Sequence, residues 1–174
     1  GKFRLEVLPL EAAFRMYWGG RFWYISADGR MWLSSLRESS FTSSEKADAL
    51  PMLSWSTDRE TPADLSDEHG NVFHSSLPLQ KIKLWHENLK ALGWSERVKF
   101  IQAGFREGNN VVRLIFYGPD GGNGANIMLP DDPGEWQTSG LAIKKIYPDL
   151  SKISPDVLID ATYKDKILVK NKVQ

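Results

Sequence analysis

The stretch 156-DVLIDATYKDKILVKN-171, close to the end of the chain, decides how the rest is read. Two runs that alternate apolar and polar residues, DVLIDATY and KILVKN, flank the short turn segment Tyr163-Lys164-Asp165-Lys166. Alternation with period two marks a half-buried strand, so the stretch predicts two strands joined by a tight turn. Ile167 and Val169 then share one face of the last strand, and Leu168 takes the other. Chain ends are ordinarily polar and frayed, yet this one is strand material set between lysines. A strand at the rim of a sheet carries unpaired backbone N–H and C=O groups, which are a template for a partner strand.

Upstream of that hairpin, the residues 132-DPGE-135 open a helix. Asp132 is placed to cap, Pro133 suits the first helical position, and Glu135 completes a capping-box spacing. Trp136, Ile143, Ile146 and Leu150 supply its apolar face, Gly140 weakens it by about 1 kcal/mol relative to alanine, and Pro148 ends it. A first helix spans Gln80–Leu92, with Ile82, Trp85, Leu89 and Leu92 on one face and Gly93 placed to close it. Strands are predicted at Val98–Ala103 and Val111–Tyr117, around the turn REGNN, and at Asn126–Leu129 after a turn at 119–124.

The N-terminal part reads as a meander. Phe3, Leu5 and Val7 alternate with charged residues in a strand that Pro9 ends. Ala12–Trp18 and Arg21–Ser26 flank Gly19-Gly20, a hairpin signal, and the turn Ala27-Asp28-Gly29-Arg30 leads into Met31–Leu33. Residues 37–78 are rich in Ser, Thr and acids and read as a loop insertion, with LPMLSW as a short apolar anchor inside it. A weak echo links SADGRMWLSSL at 26–36 with DEHGNVFHSSLPL at 67–79. The sum is an α+β fold: a mostly antiparallel β-sheet with two packed α-helices and an edge strand at the C-terminus.

Composition excludes several classes of function. The 174 residues carry a net charge of zero, so the strong positive field of a nucleic-acid binder is missing. Charge is uneven, however: residues 38–70 hold eight acids against Lys46 and Arg59, while 144–174 hold seven lysines against four aspartates. The basic end suits a recognition face for an acidic partner. With no cysteine, disulfides, thiol catalysis and cysteine-bound zinc are excluded. No run of about 18 apolar residues occurs in the sequence. A chain that starts and stops in strand is expected to belong to a longer protein.

Candidate chemistry is sparse. Asp67, His69 and His74 are the three ligands a metal-dependent hydrolase would use, but their spacing fits no closed site and a polar turn accounts for them. His86 falls on the polar side of the first helix and is expected in solvent. The run 121-GGNG-124 lacks the lysine and Ser/Thr of a phosphate loop and reads as a hairpin turn. Seven tryptophans raise the alternative of an envelope glycan- or peptidoglycan-binding module. Trp23, Trp32, Trp85 and Trp136 sit where core residues would, which leaves Trp18 and Trp55 as candidate exposed aromatics. No catalytic residue, metal or cofactor is predicted.

The order of the pieces resembles the FtsQ/DivIB family of bacterial cell-division proteins. In that family a strand ending Glu-x-x-Pro-x-Ala leads to an aromatic strand and then to Asp-x-Gly-x-hydrophobic. Here the similar positions are Glu6, Pro9 and Ala12, then Trp23-Tyr24-Ile25, then Asp28-Gly29-Arg30-Met31-Trp32. Leu50-Pro51-Met52-Leu53 resembles the family's following Leu-Pro element, and Ile159-Asp160-Ala161-Thr162-Tyr163 its late Ile-Asp-hydrophobic-x-Tyr run. Thr162 stands where the family commonly carries arginine, and residues 54–78 read as an insertion.

The resemblance implies a domain plan and a role. Residues 1–10 would end a preceding POTRA-like domain or form the junction to it, 11–170 would be the β domain, and 171–174 a tail. The full-length protein would have one N-terminal membrane helix, with this part on the periplasmic side of the inner membrane. It would be a non-enzymatic scaffold of the divisome, without cofactor, binding FtsB/DivIC-type and FtsL-type proteins by strand addition at its C-terminal edge. Tyr163 would be the aromatic anchor, Lys164 and Lys166 the charge partners of an acidic peptide, and Ile167, Leu168 and Val169 the pairing strand.

Overall fold

The computed structural model describes residues 11–18, 20–33, 49–55, 73–74, 79–106 and 108–171. Local hairpin chemistry builds most of its sheet. Strands β1 (Ala12–Trp18) and β2 (Arg21–Ser26) pair from Trp18↔Arg21 outward, with Gly20 at φ 77° in the turn, a conformation that favours glycine. The next turn is fixed by Ser26: its hydroxyl bonds to the Asp28 carboxylate and accepts the Arg30 N–H at 3.0 Å, while Gly29 N–H bonds to the Ser26 carbonyl. β3 (Arg30–Leu33) follows, and β5 (Phe73–His74) pairs beyond it. The strands of the two echoing segments are therefore neighbours, Met31 opposite Phe73.

A second meander holds β6 (Val98–Arg106), β7 (Asn109–Tyr117) and β8 (Asn123–Pro130). The closing hairpin of β9 (Val157–Tyr163) and β10 (Lys166–Asn171) then joins β8 through a parallel pairing. Residues 118–122 turn β7 into β8, with Gly118 N–H bonded to the Gly122 carbonyl, so the glycine run is a hairpin turn as expected. The two meanders meet through β4 (Met52–Trp55), which lies parallel to both β1 and β6. The sheet order is β10-β9-β8-β7-β6-β4-β1-β2-β3-β5.

The fold is α+β, with a mixed sheet and, among the described residues, two helices of more than three turns each. The antiparallel expectation holds for the hairpins and fails where β1 meets β4, β4 meets β6 and β8 meets β9. Parallel neighbours need long crossover connections, and no local turn signal marks them in a sequence. LPMLSW, read as an anchor within a loop insertion, supplies the sheet's joining strand, and β5 also lies inside 37–78. The strand predicted over residues 2–8 and the junction at 1–10 lie outside the described residues.

Helix α1 (Leu79–Ala91) presents Ile82, Trp85 and Leu89 to the core, with Leu92 buried just beyond it. Its end is a Schellman turn: Gly93 at φ 65° donates to the Lys90 carbonyl, and Trp94 N–H to that of Leu89. Helix α2 (Trp136–Ile146) begins later than expected. Residues Pro133–Glu135 form a 3-10 turn, and Asp132 caps that turn by accepting the Gly134 N–H at 2.9 Å. No side chain caps α2 itself, so the capping box does not form. Ile146 is 56% exposed rather than in the core, and Leu150 is buried from a separate 3-10 turn.

The helices are stitched together as well as packed. The indoles of Trp85 and Trp136 stack at 5.9 Å with 8° between planes. Buried Asn88 donates to the Leu84 carbonyl of its own helix and to Pro133 ahead of α2, both at 2.9 Å. Trp136 Nε1 donates to Pro130 at 2.8 Å, and Lys144 reaches the Leu92 carbonyl at 3.1 Å. Gly140 faces this joint: a Cβ there would lie 2.5 Å from Leu92 Cδ1. The residue read as a helix weakness is what lets α2 approach Leu92.

Trp23, Trp32, Trp85 and Trp136 are buried, as their pattern predicts, and Trp94 is buried with them. Trp23, Trp85, Trp94 and Trp136 join one cluster between the helices and the sheet, whereas Trp32 packs with Tyr24 in a smaller second cluster. Trp23 and Tyr24 are adjacent in β2 and so serve opposite faces. Only the backbone is described at Trp18 and Trp55. His86 is not in free solvent: it is half-buried with its ring edge-on to Phe14 at 5.9 Å, because Phe14 reaches across from β1. Burial, with Lys90 nearby, holds its pKa below the ordinary 6.5, against the opposing pull of Glu87 and Glu11.

Two outcomes are expected. Gly140→Ala gains helix propensity but overpacks against buried Leu92, so it destabilises by about 1 kcal/mol net and lowers Tm by about 3 °C. A Tm at or above wild type in a thermal melt contradicts this. For His86, the unfolded chain binds the proton more readily than the folded one. Its contribution to stability is therefore full above about pH 6.5 and declines as pH falls below that value. Urea unfolding at pH 7 and pH 5 checks it: wild type should lose more stability than His86→Gln, and equal losses contradict the assignment.

Candidate functional site

Strand β9 alternates between two environments. Ile159 and Ala161 enter the core beneath the helices, so Asp160 and Thr162 face the other side of the sheet. Asp160 is nonetheless buried, with its side chain 1% exposed. A buried carboxylate must be paired or fully hydrogen-bonded to persist, and Asp160 is both. Its Oδ1 accepts Thr162 N–H at 3.2 Å and Thr162 Oγ1 at 2.7 Å, and its Oδ2 accepts Arg106 Nη1 at 3.1 Å. Lys170 Nζ stands 4.0 Å from the same oxygen. One carboxylate thus ties the end of β6, the end of β9 and the outermost strand β10.

That outermost strand is the C-terminal one. β10 pairs antiparallel with β9, Leu168 opposite Asp160 and Val169 opposite Ile159, and it ends the sheet order. Among the described residues nothing pairs with its other edge. The turn from β9 is two residues, Lys164-Asp165, because Lys166 already pairs with Tyr163. The register shifts between Lys166 and Leu168, an irregularity of the kind that twists an edge.

The six residues predicted for partner contact all lie on this hairpin, with unequal access. Tyr163, Lys164, Lys166 and Val169 are exposed, Tyr163 by 40% and Val169 by 47%. Ile167 and Leu168 are half-buried, and Ile167 packs on the main core, so it holds β10 to the sheet more than it faces a partner. Lys166 Nζ lies 5.0 Å from the centre of the Tyr163 ring. A cation–π contact of this kind contributes roughly 0.5–1 kcal/mol at an exposed site and keeps the two side chains together at the turn.

Beside Tyr163 opens a cavity of about 320 Å³. Arg106, Asn109, Asn110, Asp160 and Thr162 line it with Tyr163, and Val111 and Pro130 add apolar wall. It lies where β6 and β9 end, β8 ends and β7 begins. Arg106, Asn109 and Asn110 were legible only as parts of a turn. Asp160 set among apolar strand residues is the signal that could have found Arg106, since a buried acid demands a cation.

His74 is placed on β5 opposite Arg30, whereas Asp67 and His69 lie outside the described residues. No cluster of three or more potential metal ligands occurs among the described residues, and none of the described helices is long and apolar enough to cross a membrane. No family model, curated protein or solved structure matches this chain.

Loss of the Asp160 carboxylate removes the acceptor of Thr162 N–H and one of the partners of Arg106, which also donates to Met128 Sδ at 3.0 Å. Asp160→Ala is expected to cost about 3 kcal/mol. Arg106→Gln should cost less, because the guanidinium is one-third exposed and its charge is screened. Denaturant unfolding of both variants checks the order, and equal or reversed losses contradict it.

Proposed function

We propose that this chain is a non-catalytic scaffold domain of the bacterial division machinery, recruiting a partner protein by strand addition to β10. The observation that carries the reading is the position of β10. It ends a ten-stranded sheet, its outer backbone edge is unpaired among the described residues, and Tyr163, Lys164 and Lys166 stand exposed at its start. The resemblance of Glu6, Pro9, Ala12, Asp28-Gly29 and Ile159–Tyr163 to FtsQ/DivIB motifs supports the same role. On this reading the partners are FtsB/DivIC-type and FtsL-type proteins, and the chain works on the periplasmic face of the inner membrane, anchored in the full-length protein by one helix.

Strand addition divides the labour between backbone and side chains. The main chain supplies hydrogen bonds for affinity, and alternate side chains supply specificity. Val169 offers exposed apolar surface, Tyr163 an aromatic anchor, and the lysines favour a partner with acids near its strand. The alternative of a glycan-stacking surface would use Trp18 and Trp55, at which only the backbone is described.

Amide hydrogen exchange with a saturating FtsB/DivIC-type ectodomain from the same organism tests the reading. The amides of 166–171 should slow at least about tenfold, and Tyr163→Ala should weaken binding about tenfold, the loss expected when an aromatic anchor is truncated. Binding without protection of 166–171, or unchanged affinity in Tyr163→Ala, overturns it.

A further inference from the structure

We propose that the outer face of α2, with the basic corner beside its C-terminal end, docks on the surface of an anionic lipid bilayer. The inference goes beyond the strand-addition reading and does not rest on β10.

Helix α2 divides its residues by face. Trp136, Gly140 and Ile143 are buried against the core, so Thr138, Leu141, Ala142 and Lys145 share the opposite side at helical spacing. All four are exposed, Leu141 by 60%, and the exposed Ile146 stands one turn beyond Ala142. Two aliphatic side chains in water are ordinary by themselves. What singles these out is the charge around them.

Helix α2 carries no acid, and its last turn holds Lys144 and Lys145. Lys144 Nζ donates to the Leu92 carbonyl, an acceptor that leaves its charge in place. That bond also sets the end of α1 beside the end of α2. Arg97, just after α1, and Lys152 both reach the Asp149 carboxylate, at 3.0 and 3.6 Å, and the Lys152 side chain is 81% exposed. Arg97, Lys144, Lys145 and Lys152 therefore share one corner with two acids, Asp149 and the exposed Glu96.

Exposed aliphatic side chains set among lysines are the pattern of a helix lying in a membrane interface. The apolar groups enter the headgroup–acyl boundary by about 5–10 Å, and the lysine heads stay at the lipid phosphates. Leu141 and Ile146 protrude from a convex helix surface, which suits a deformable medium. An acidic protein would have to present a shaped pocket to each of them. Two aliphatic side chains and a few lysines make a reversible contact, suited to orienting the domain rather than anchoring it.

Co-sedimentation of the 174-residue chain with vesicles tests the inference. The vesicles are phosphatidylcholine alone, or phosphatidylcholine with about one-third phosphatidylglycerol. Half-saturation on the order of 1 mM lipid is expected for the anionic vesicles. Binding to the neutral ones should be at least about tenfold weaker, and about 0.5 M salt should weaken the anionic binding several-fold. Lys145→Gln should weaken it about fivefold, the effect of one lysine at an anionic surface. Leu141→Ser combined with Ile146→Ser should weaken it about tenfold. Both positions are exposed, so Tm should stay within about 1 °C of wild type.

The chain has no cysteine, so Leu141→Cys and Asp165→Cys each accept one environment-sensitive fluorophore. The probe at 141 should shift to the blue on anionic vesicles, and the probe at 165, on the turn at the far end of β9, should not. No binding to anionic vesicles, equal binding to both kinds, unchanged binding in the double serine variant, or equal shifts from the two probes overturns the inference. So does polyglutamate saturating the α2 amides in solution while vesicles do not bind, which assigns the corner to an acidic chain. None of these outcomes bears on protection of 166–171 by a partner strand, so the two readings fail separately.

Discussion

The fold depends on one four-residue strand. β4 is the hydrogen-bonded link between β1 and β6, and without it the sheet is two meanders with no shared ladder. Leu53 at its centre is 1% exposed and lies beside Met16 on one side and Ile101 on the other. The helix layer reinforces the joint, since Ile82, Trp85 and Leu89 share one cluster with Phe14, Leu53 and Ile101. Because the two halves are continuous, the outermost strand is backed by a rigid sheet rather than by a single marginal hairpin. A pre-ordered edge loses little conformational entropy when a partner strand is added.

An edge with no partner strand among the described residues is also a hazard, and β10 carries the usual protections. Lys166 and Lys170 stand near its two ends, and the register shifts near its start, an irregularity of the kind that blunts an edge. Charges of one sign disfavour pairing of two copies of β10, while an acidic partner relieves the same repulsion. The buried Asp160 fits this division. It holds Arg106 and faces Lys170 from inside the sheet, and it orders Thr162 next to the exposed Tyr163. One carboxylate therefore joins the edge strand to the cavity beside it.

What the sequence made legible follows from the range of each interaction. The β1–β2 and β9–β10 hairpins, the Gly93 helix stop and the buried tryptophans are encoded by neighbours in the chain, and each appears where its residues place it. β4 was missed because a four-residue strand between polar segments looks like an apolar patch in a loop, and its partners are 37 or more positions away. Gly140 was misread because its value lies in the approach of Leu92, which propensity cannot register. His86 was misread because Phe14 reaches it from another element. At the site, the hairpin and its exposed Tyr163 were legible, whereas Arg106 was not. Its pairing with Asp160 spans 54 positions and needs the sheet order to be known.

Backbone pairing at β10 is the central claim, and scalar couplings across hydrogen bonds report it most directly. With nitrogen-labelled chain and carbonyl-labelled FtsB/DivIC-type ectodomain, couplings should appear from alternate N–H groups of 166–171 to partner carbonyls. Binding that shifts resonances on the helix layer, with no coupling across β10, would contradict the account.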